Sequence, residues 1–207
     1  MENTLSDGAT GATVERVMAM LAEAGGASYG GEAVSQLEHA LQAATLARAA
    51  GHDEEFVVAC LLHDLGHLTD EAQAILDVDA DAGSEGDAET LRERRRAEAL
   101  EHGAEGAAFL ADVASERMRY LIAGHAAAKR YLCTADSSYY DRLSPVSKRT
   151  MSDQGGLMSP AEVAEFEANP WAGDLTALRR FDDTAKVVGM VTPSLEEFRG
   201  MVGRQLG

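Results

Sequence analysis

Five of the six histidines in this 207-residue chain fall, with two aspartates, into one spaced pattern. It runs His39, the adjacent pair His63-Asp64, His67 one turn on, then His102, His125 and Asp182. Imidazole and carboxylate are the side chains that bind iron, zinc or manganese. Six of these positions, His39, His63, Asp64, His102, His125 and Asp182, offer more ligands than one first-row ion takes from a protein. Two adjacent ions bridged by Asp64 would use them all. Any fold for this chain must therefore bring scattered segments to one point, and the chain reads as an enzyme built around a dinuclear metal centre.

The dipeptide His-Asp alone means little, and the chain contains its own control. In Gly51-His52-Asp53-Glu54-Glu55 the aspartate stands where a helix N-cap belongs, with acidic residues in the first turn. That pair starts a helix. The pair at 63-64 differs because it closes the apolar run Phe56-Val57-Val58-Ala59-Cys60-Leu61-Leu62. Charged groups at the end of a core-facing helix are costly unless paired or bound to metal. His102 taken alone, in Leu100-Glu101-His102-Gly103, reads as a surface histidine. The ordered set carries the weight.

A chain of this length makes one domain with a sizeable core. Aromatics are 5% and long alternating β-branched runs are missing, which favours an all-α fold. A net charge of −17 argues against nucleic acid as a partner of the surface as a whole. An anionic small substrate would need a local cationic pocket, which metals with a few Lys and His could supply. Met1-Glu2-Asn3-Thr4 opens no basic or apolar leader, and no stretch of 18 apolar residues exists, so no membrane partner is expected. Cys60 and Cys133 sit beside large apolar residues and read as buried free thiols. These features together place the protein in a reducing cytoplasm.

Along the chain, residues 1–11 read as a polar tail and 12–207 as the metalloenzyme domain. The first helix spans about Ala12 to Ala24, with Val14, Val17, Met18 and Leu21 on one face. Ser35 with Glu38 forms a capping box ahead of a helix over about 36 to 50 that carries His39. The next runs from about Glu54 to Asp64, and Gly66 breaks it. The acidic stretch Asp77 to Gly86 reads as a loop leading into an exposed helix with Arg92, Arg94, Arg95 and Arg96. Further helices are expected over about 101–112, 115–127, 144–152, 160–167, 174–189 and 194–204. Pro160 and Pro193 suit helix first turns. His63/His67, His125/Lys129 and Asp182/Lys186 are i, i+4 pairs, each placing a possible ligand beside a second group.

The order His39…His63-Asp64…Asp182 resembles the signature of the HD-domain superfamily, and His102 with His125 matches its dinuclear branch. Several runs are similar to the mixed-valent di-iron oxygenases that cleave phosphonates, the PhnZ and TmpB type. They are Tyr29-Gly30-Gly31-Glu32 leading to His39, Leu61-Leu62-His63-Asp64-Leu65-Gly66-His67, Ala127-Ala128-Lys129-Arg130-Tyr131-Leu132, Leu143-Ser144-Pro145, Gln154-Gly155-Gly156 and Arg179-Arg180-Phe181-Asp182-Asp183. The likeness spans roughly residues 14 to 190. A more distant one is to myo-inositol oxygenase.

The resemblance implies an all-α HD-domain helical fold of about nine to ten helices in a single domain. It implies two iron ions, Fe(II)/Fe(III), with O2 as co-substrate. His39, His63, Asp64 and Asp182 would hold one iron, and Asp64, His102 and His125 the other. Tyr29 would occupy the open position at rest, and Glu32 would meet the amino end of the substrate. His67 and Lys129 would bind the phosphonate with help from Gln154, and Ser147 and Thr150 are further candidates. Asp182 is preferred to Asp183 as ligand by its register with Lys186. The implied reaction takes a 1-hydroxy-2-(amino or trimethylammonio)ethylphosphonate to phosphate and glycine or glycine betaine. An Fe(II)/2-oxoglutarate hydroxylase would make that substrate. The alternative is a metal-dependent phosphohydrolase acting on a nucleotide or other phosphoester, against which Tyr29 and Glu32 argue, since a hydrolase needs no removable tyrosine ligand.

Overall fold

The apolar run ahead of His63-Asp64 forms the centre of the molecule. The computed structural model describes residues 4–23, 26–29, 31–69 and 101–207, with side chains from Thr13 onward. In chain order its helices are α1 (Thr4–Glu23), α2 (Gln36–Ala49), α3 (Glu54–Leu62), α4 (101–109), α5 (Glu116–Ala135), α6 (Ser137–Arg142), α7 (Pro145–Asp153), α8 (Pro160–Ala168), α9 (Ala172–Thr184) and α10 (Leu195–Gln205). A 3-10 turn, Leu65–Leu68, follows α3. The only β feature among the described residues is an isolated antiparallel bridge between Ser28 and Ser35. The fold is all-α, and no described helix is long and apolar enough to cross a membrane.

Every residue of α3 from Phe56 to Leu62 is buried. A helix apolar on all sides has no solvent face, so neighbours must cover it. Here α2, α5, α9 and α10 do so. The tight packing of α2 on α3 follows from alanine: Ala40, Ala43, Ala44 and Ala47 face inward and let the backbones approach. Beyond α10, α1 contributes Val14, Val17, Met18 and Leu21 to the same core. The consequence for function is that both ends of the apolar run are fixed, and its C-terminal end delivers His63 and Asp64 into the interior.

Local signals placed most of these elements. Ser35 and Glu38 form the expected capping box, with bonds of 2.7 and 3.2 Å. Asp53 accepts from the Phe56 amide at 2.9 Å, so the control His-Asp pair is indeed a helix start. Pro160 lies in the first turn of α8, whereas Pro193 precedes the cap residue Ser194 of α10. Four boundaries differ from the sequence reading. Helix α1 begins at Thr4 instead of Ala12, upstream of the apolar stripe from Val14 to Leu21 that marks it in the sequence. Helix α3 stops at Leu62, leaving His63 and Asp64 in a turn, and α5 continues to Ala135. Helix α9 ends at Thr184, where the chain turns away through Ala185 toward Gly189 with φ 72°. The short α6, capped by Asp136, has no apolar stripe to announce it. The acidic 77–86 stretch and the 92–96 arginines lie outside the described residues.

Candidate metal centre

Three of the histidines solve the same local problem in the same way. The Nδ1–H of His39 donates to the Ala185 carbonyl at 2.8 Å. His63 donates to the Cys60 carbonyl and His125 to the Ile122 carbonyl, each also at 2.8 Å. A neutral ring that donates through Nδ1 presents the lone pair on Nε2. These Nε2 atoms converge. His39 Nε2 and His63 Nε2 lie 3.1 Å apart, and His102 Nε2 and His125 Nε2 lie 2.8 Å apart. Imidazole lone pairs this close repel unless a proton or metal cation stands among them.

Asp64 lies between the two pairs. Its Oδ2 is 3.5 Å from His39 Nε2 and 3.2 Å from His63 Nε2. Its Oδ1 is 3.7 Å from His102 Nε2 and 3.4 Å from His125 Nε2. Asp182 closes the first set, with Oδ1 3.4 Å from His39 Nε2. All six side chains are buried, yet Asp64 Oδ2 and Asp182 Oδ1 receive no hydrogen bond. Leaving carboxylate oxygens buried and unsatisfied is strongly unfavourable. Both orphaned oxygens face the His39 and His63 pair, and Asp64 Oδ1 faces His102 and His125, so each half offers imidazole and carboxylate donors that fit a divalent or trivalent ion. His67 also brings a ring nitrogen near Asp64 and His102, and its ring stacks on His102 with centroids 4.1 Å apart.

The electrostatics agree. Burial works against a charge on His63, but the Asp64 and Asp182 carboxylates overcome it and raise its pKa to about 9. Burial pushes the two carboxyls the other way, yet Asp64 is held well below its ordinary value chiefly by His63. Asp182 is held down chiefly by Arg179. The interior thus favours positive charge between these groups.

Close packing explains how His102 reaches Asp64. Gly66 lies flush against α4: a Cβ there would stand 2.6 Å from the His102 carbonyl carbon and 2.9 Å from its Cα. A Cβ on Gly103 would likewise stand 2.8 Å from the Ala123 carbonyl oxygen of α5. The sequence marks Gly66 only as a helix stop; its closer duty is to admit a neighbouring backbone.

Of the adjacent aspartates, Asp182 faces the centre and Asp183 does not. Asp183 accepts from the Tyr139 hydroxyl and from Arg179 Nη2. Arg179 Nη1 donates to Asp182 Oδ2 at 2.6 Å, which leaves Oδ1 for the centre. The sequence reading did not single out Arg179, because Arg179 and Arg180 look alike until packing buries one of them.

The remaining candidates lie on the segments around the centre. Tyr29 stacks on His39 with centroids 4.0 Å apart, and burial together with Asp182 and Asp64 raises its hydroxyl pKa well above normal. Glu32 Oε1 accepts from Ser144 Oγ at 2.6 Å and lies 3.5 Å from Lys186 Nζ. Lys186 also donates to Ser147 Oγ at 3.3 Å. Lys129 is buried and donates to Thr150 Oγ1 at 2.7 Å. Its pKa falls to about 7 through burial and Arg179, against the pull of Asp182 and Asp183. Two lysines therefore converge on Ser147 and Thr150, one turn apart on α7, and buried Gln154 stands at the end of that helix.

Comparison with known proteins gives consistent matches. The HD domain family model matches residues 37–151. A hydroxymethylphosphonate dioxygenase of Gimesia maris is 41% identical over 174 residues, covering 84% of this chain and 78% of that protein. A glycine-betaine-forming 1-hydroxy-2-(trimethylamino)ethylphosphonate dioxygenase of Leisingera caerulea is 37% identical over 196 residues, covering 95% and 91%. An uncharacterised protein of Acanthamoeba polyphaga mimivirus is 30% identical over 191 residues, covering 91% and 80%.

Proposed function

This chain belongs to the HD-domain family and stands among its phosphonate dioxygenases, and from that premise we propose that it cleaves a 1-hydroxyphosphonate oxidatively at its C–P bond. The observation that carries the reading is Asp64, whose two oxygens each face a different pair of imidazole nitrogens. His39, His63, Asp64 and Asp182 would hold one iron, and Asp64, His102 and His125 the other, as an Fe(II)/Fe(III) pair. Bound there, an iron pair would supply O2 activation and Lewis-acid binding of the substrate's oxygens. Imidazole and carboxylate donors suit iron, and Cys60 and Cys133 stand apart from the donor set.

The chain's own residues bind and orient. Lys129 and His67 would supply positive charge to a phosphonate dianion in an otherwise acidic protein, with Thr150 bonded to Lys129 and buried Ser147 and Gln154 as further candidate contacts. Glu32 turns a carboxylate toward the organic end, where a primary ammonium or a trimethylammonium would sit. The products are phosphate with glycine or glycine betaine, matching the chemistry in the name of the Leisingera caerulea relative. Tyr29, stacked on His39 and with its hydroxyl pKa raised by burial and the Asp182 and Asp64 carboxylates, would be the side chain that occupies the open position before substrate arrives. The substrate's 1-hydroxyl requires a preceding hydroxylation, the work of an Fe(II)/2-oxoglutarate hydroxylase.

The test is phosphate release by the iron-loaded protein in air and under argon. Three substrates are offered: hydroxymethylphosphonate, 2-amino-1-hydroxyethylphosphonate and its N-trimethyl analogue. Release from at least one of them in air alone is expected. Release that persists under argon overturns the oxygenase reading in favour of a hydrolase.

A further inference from the structure

Helix α9 ends at Thr184, and the chain then runs past His39, Tyr29 and Glu32 through Ala185, Lys186 and Val187. These three residues do different things. The Ala185 carbonyl accepts the Nδ1–H of His39, fixing that ring's tautomer and direction. Lys186 reaches Glu32 and Ser147 and lies 5.5 Å from the centroid of the Tyr29 ring. Val187 turns its side chain out: Val187, Val188 and Val191 are 54%, 70% and 91% exposed. The strap thus carries a metal-site contact and a cation beside Glu32; Ala185 is buried in the core, but the valines that follow it give the strap little apolar anchorage.

Its anchor comes from α2. Gln42, 2% exposed and one turn beyond His39, meets both backbone polar groups of Val187. Its Nε2 donates to the Val187 carbonyl at 2.9 Å, and its Oε1 accepts the Val187 amide at 2.9 Å. A side-chain amide paired in both directions with one backbone residue fixes position and register together, as a two-bond fork does for a carboxylate. Both ends of the Gln42 amide are engaged by Val187, so neither the oxygen nor the nitrogen is turned to the centre.

We propose that Gln42 is a positioning residue: by clamping Val187 it holds Ala185 on His39 and Lys186 at Glu32, so one side chain sets both metal affinity and substrate affinity. The inference rests on His39 as a metal ligand and on the Glu32 end as the substrate's organic end. Partners of metal-ligating histidines ordinarily change metal affinity 10- to 100-fold when lost. Displacing the strap carries an effect of that kind through Ala185, and a separate one through Lys186.

The experiment compares wild type with Gln42→Met, which fills the space without bonding the peptide, and Gln42→Glu, which keeps an acceptor for the Val187 amide. Anaerobic Fe(II) titration, hydrogen exchange of the 185–191 amides, and KM against kcat are read for each. Gln42→Met is expected to weaken Fe(II) binding about 10-fold or more. It should also expose the strap amides and raise KM more than it lowers kcat, while Gln42→Glu lies between it and wild type. In a double-mutant cycle the KM effect of Gln42→Met should vanish in a Lys186→Met background, whereas the loss of Fe(II) affinity should remain. A folded Gln42→Met protein with wild-type Fe(II) affinity and KM overturns the proposal. So does loss of cooperative folding in both replacements, which would make Gln42 a stability residue. If wild type binds no Fe(II) at all, the metal reading fails first, and the exchange data alone judge the clamp.

Discussion

Replacing Gly66 by alanine tests the packing that joins the two halves of the centre. The new methyl would lie 2.6 Å from the His102 carbonyl carbon and 2.9 Å from its Cα, with the carbonyl oxygen closer still. Unstrained carbon–carbon contact needs about 3.5–4.0 Å, so the turn and α4 must separate by roughly 1 Å. Both neighbours are backbone, and no side-chain rotation can relieve the clash. Overpacking of this kind destabilises by about 1–3 kcal/mol, which for a chain of this size lowers Tm by roughly 2–4 °C per kcal/mol. The functional effect is larger, because metal sites tolerate only about ±0.2 Å in ligand distance and His102 moves with α4. Metal content measured after gel filtration should fall from about two ions per chain toward one, with the set formed by His39, His63, Asp64 and Asp182 retained. The control is Gly203→Ala in α10, where a Cβ meets nothing within 4 Å. That change should be stabilising by about 0.5–1 kcal/mol. A Gly66→Ala protein with two ions and an unchanged melt would refute the reasoning.

Other perturbations act on single groups. Asp64→Asn removes the charge that faces both imidazole pairs, so both ions and activity should be lost together; full activity would end the dinuclear reading. Arg179→Met leaves Asp182 buried without its 2.6 Å partner. Breaking one side of such a pair costs about 3–5 kcal/mol, visible as an early melt of the metal-free protein. Tyr29→Phe should leave metal content unchanged and alter turnover, and loss of iron would contradict its assigned place. Lys129 gives a pH signature in two opposite senses. Its folded pKa, about 7, lies below the ordinary lysine value. As pH rises past 7 the folded protein releases a proton that the unfolded chain retains to about 10.4, so this group makes stability of the metal-free protein rise with pH. Anion binding runs the other way, since the charged form is then lost. Affinity for inorganic phosphate should fall above about pH 7 in wild type, and a flat profile matching that of Lys129→Met would sink the assignment.

The sequence by itself determined which side chains could meet a metal and which segments could carry them. His39, His63-Asp64, His102, His125 and Asp182 stand out through residue type and order, and the caps at Ser35 and Asp53 start their helices by local hydrogen bonding that needs no tertiary partner. The unbroken apolar run 56–62 announced a central helix, because only full burial accommodates it. Tertiary structure decided the rest. Asp64 stands between two imidazole pairs only because α4 and α5 press His102 and His125 against one of its oxygens while α2 presents His39 to the other. Gly66 allows that approach, yet a one-dimensional reading sees in it only a break. Arg179 and Gln42 were silent in the sequence for a common reason. Their roles are to bond a neighbouring carboxylate and a distant peptide group, and a hydrogen bond between residues 42 and 187 leaves no trace in either local stretch.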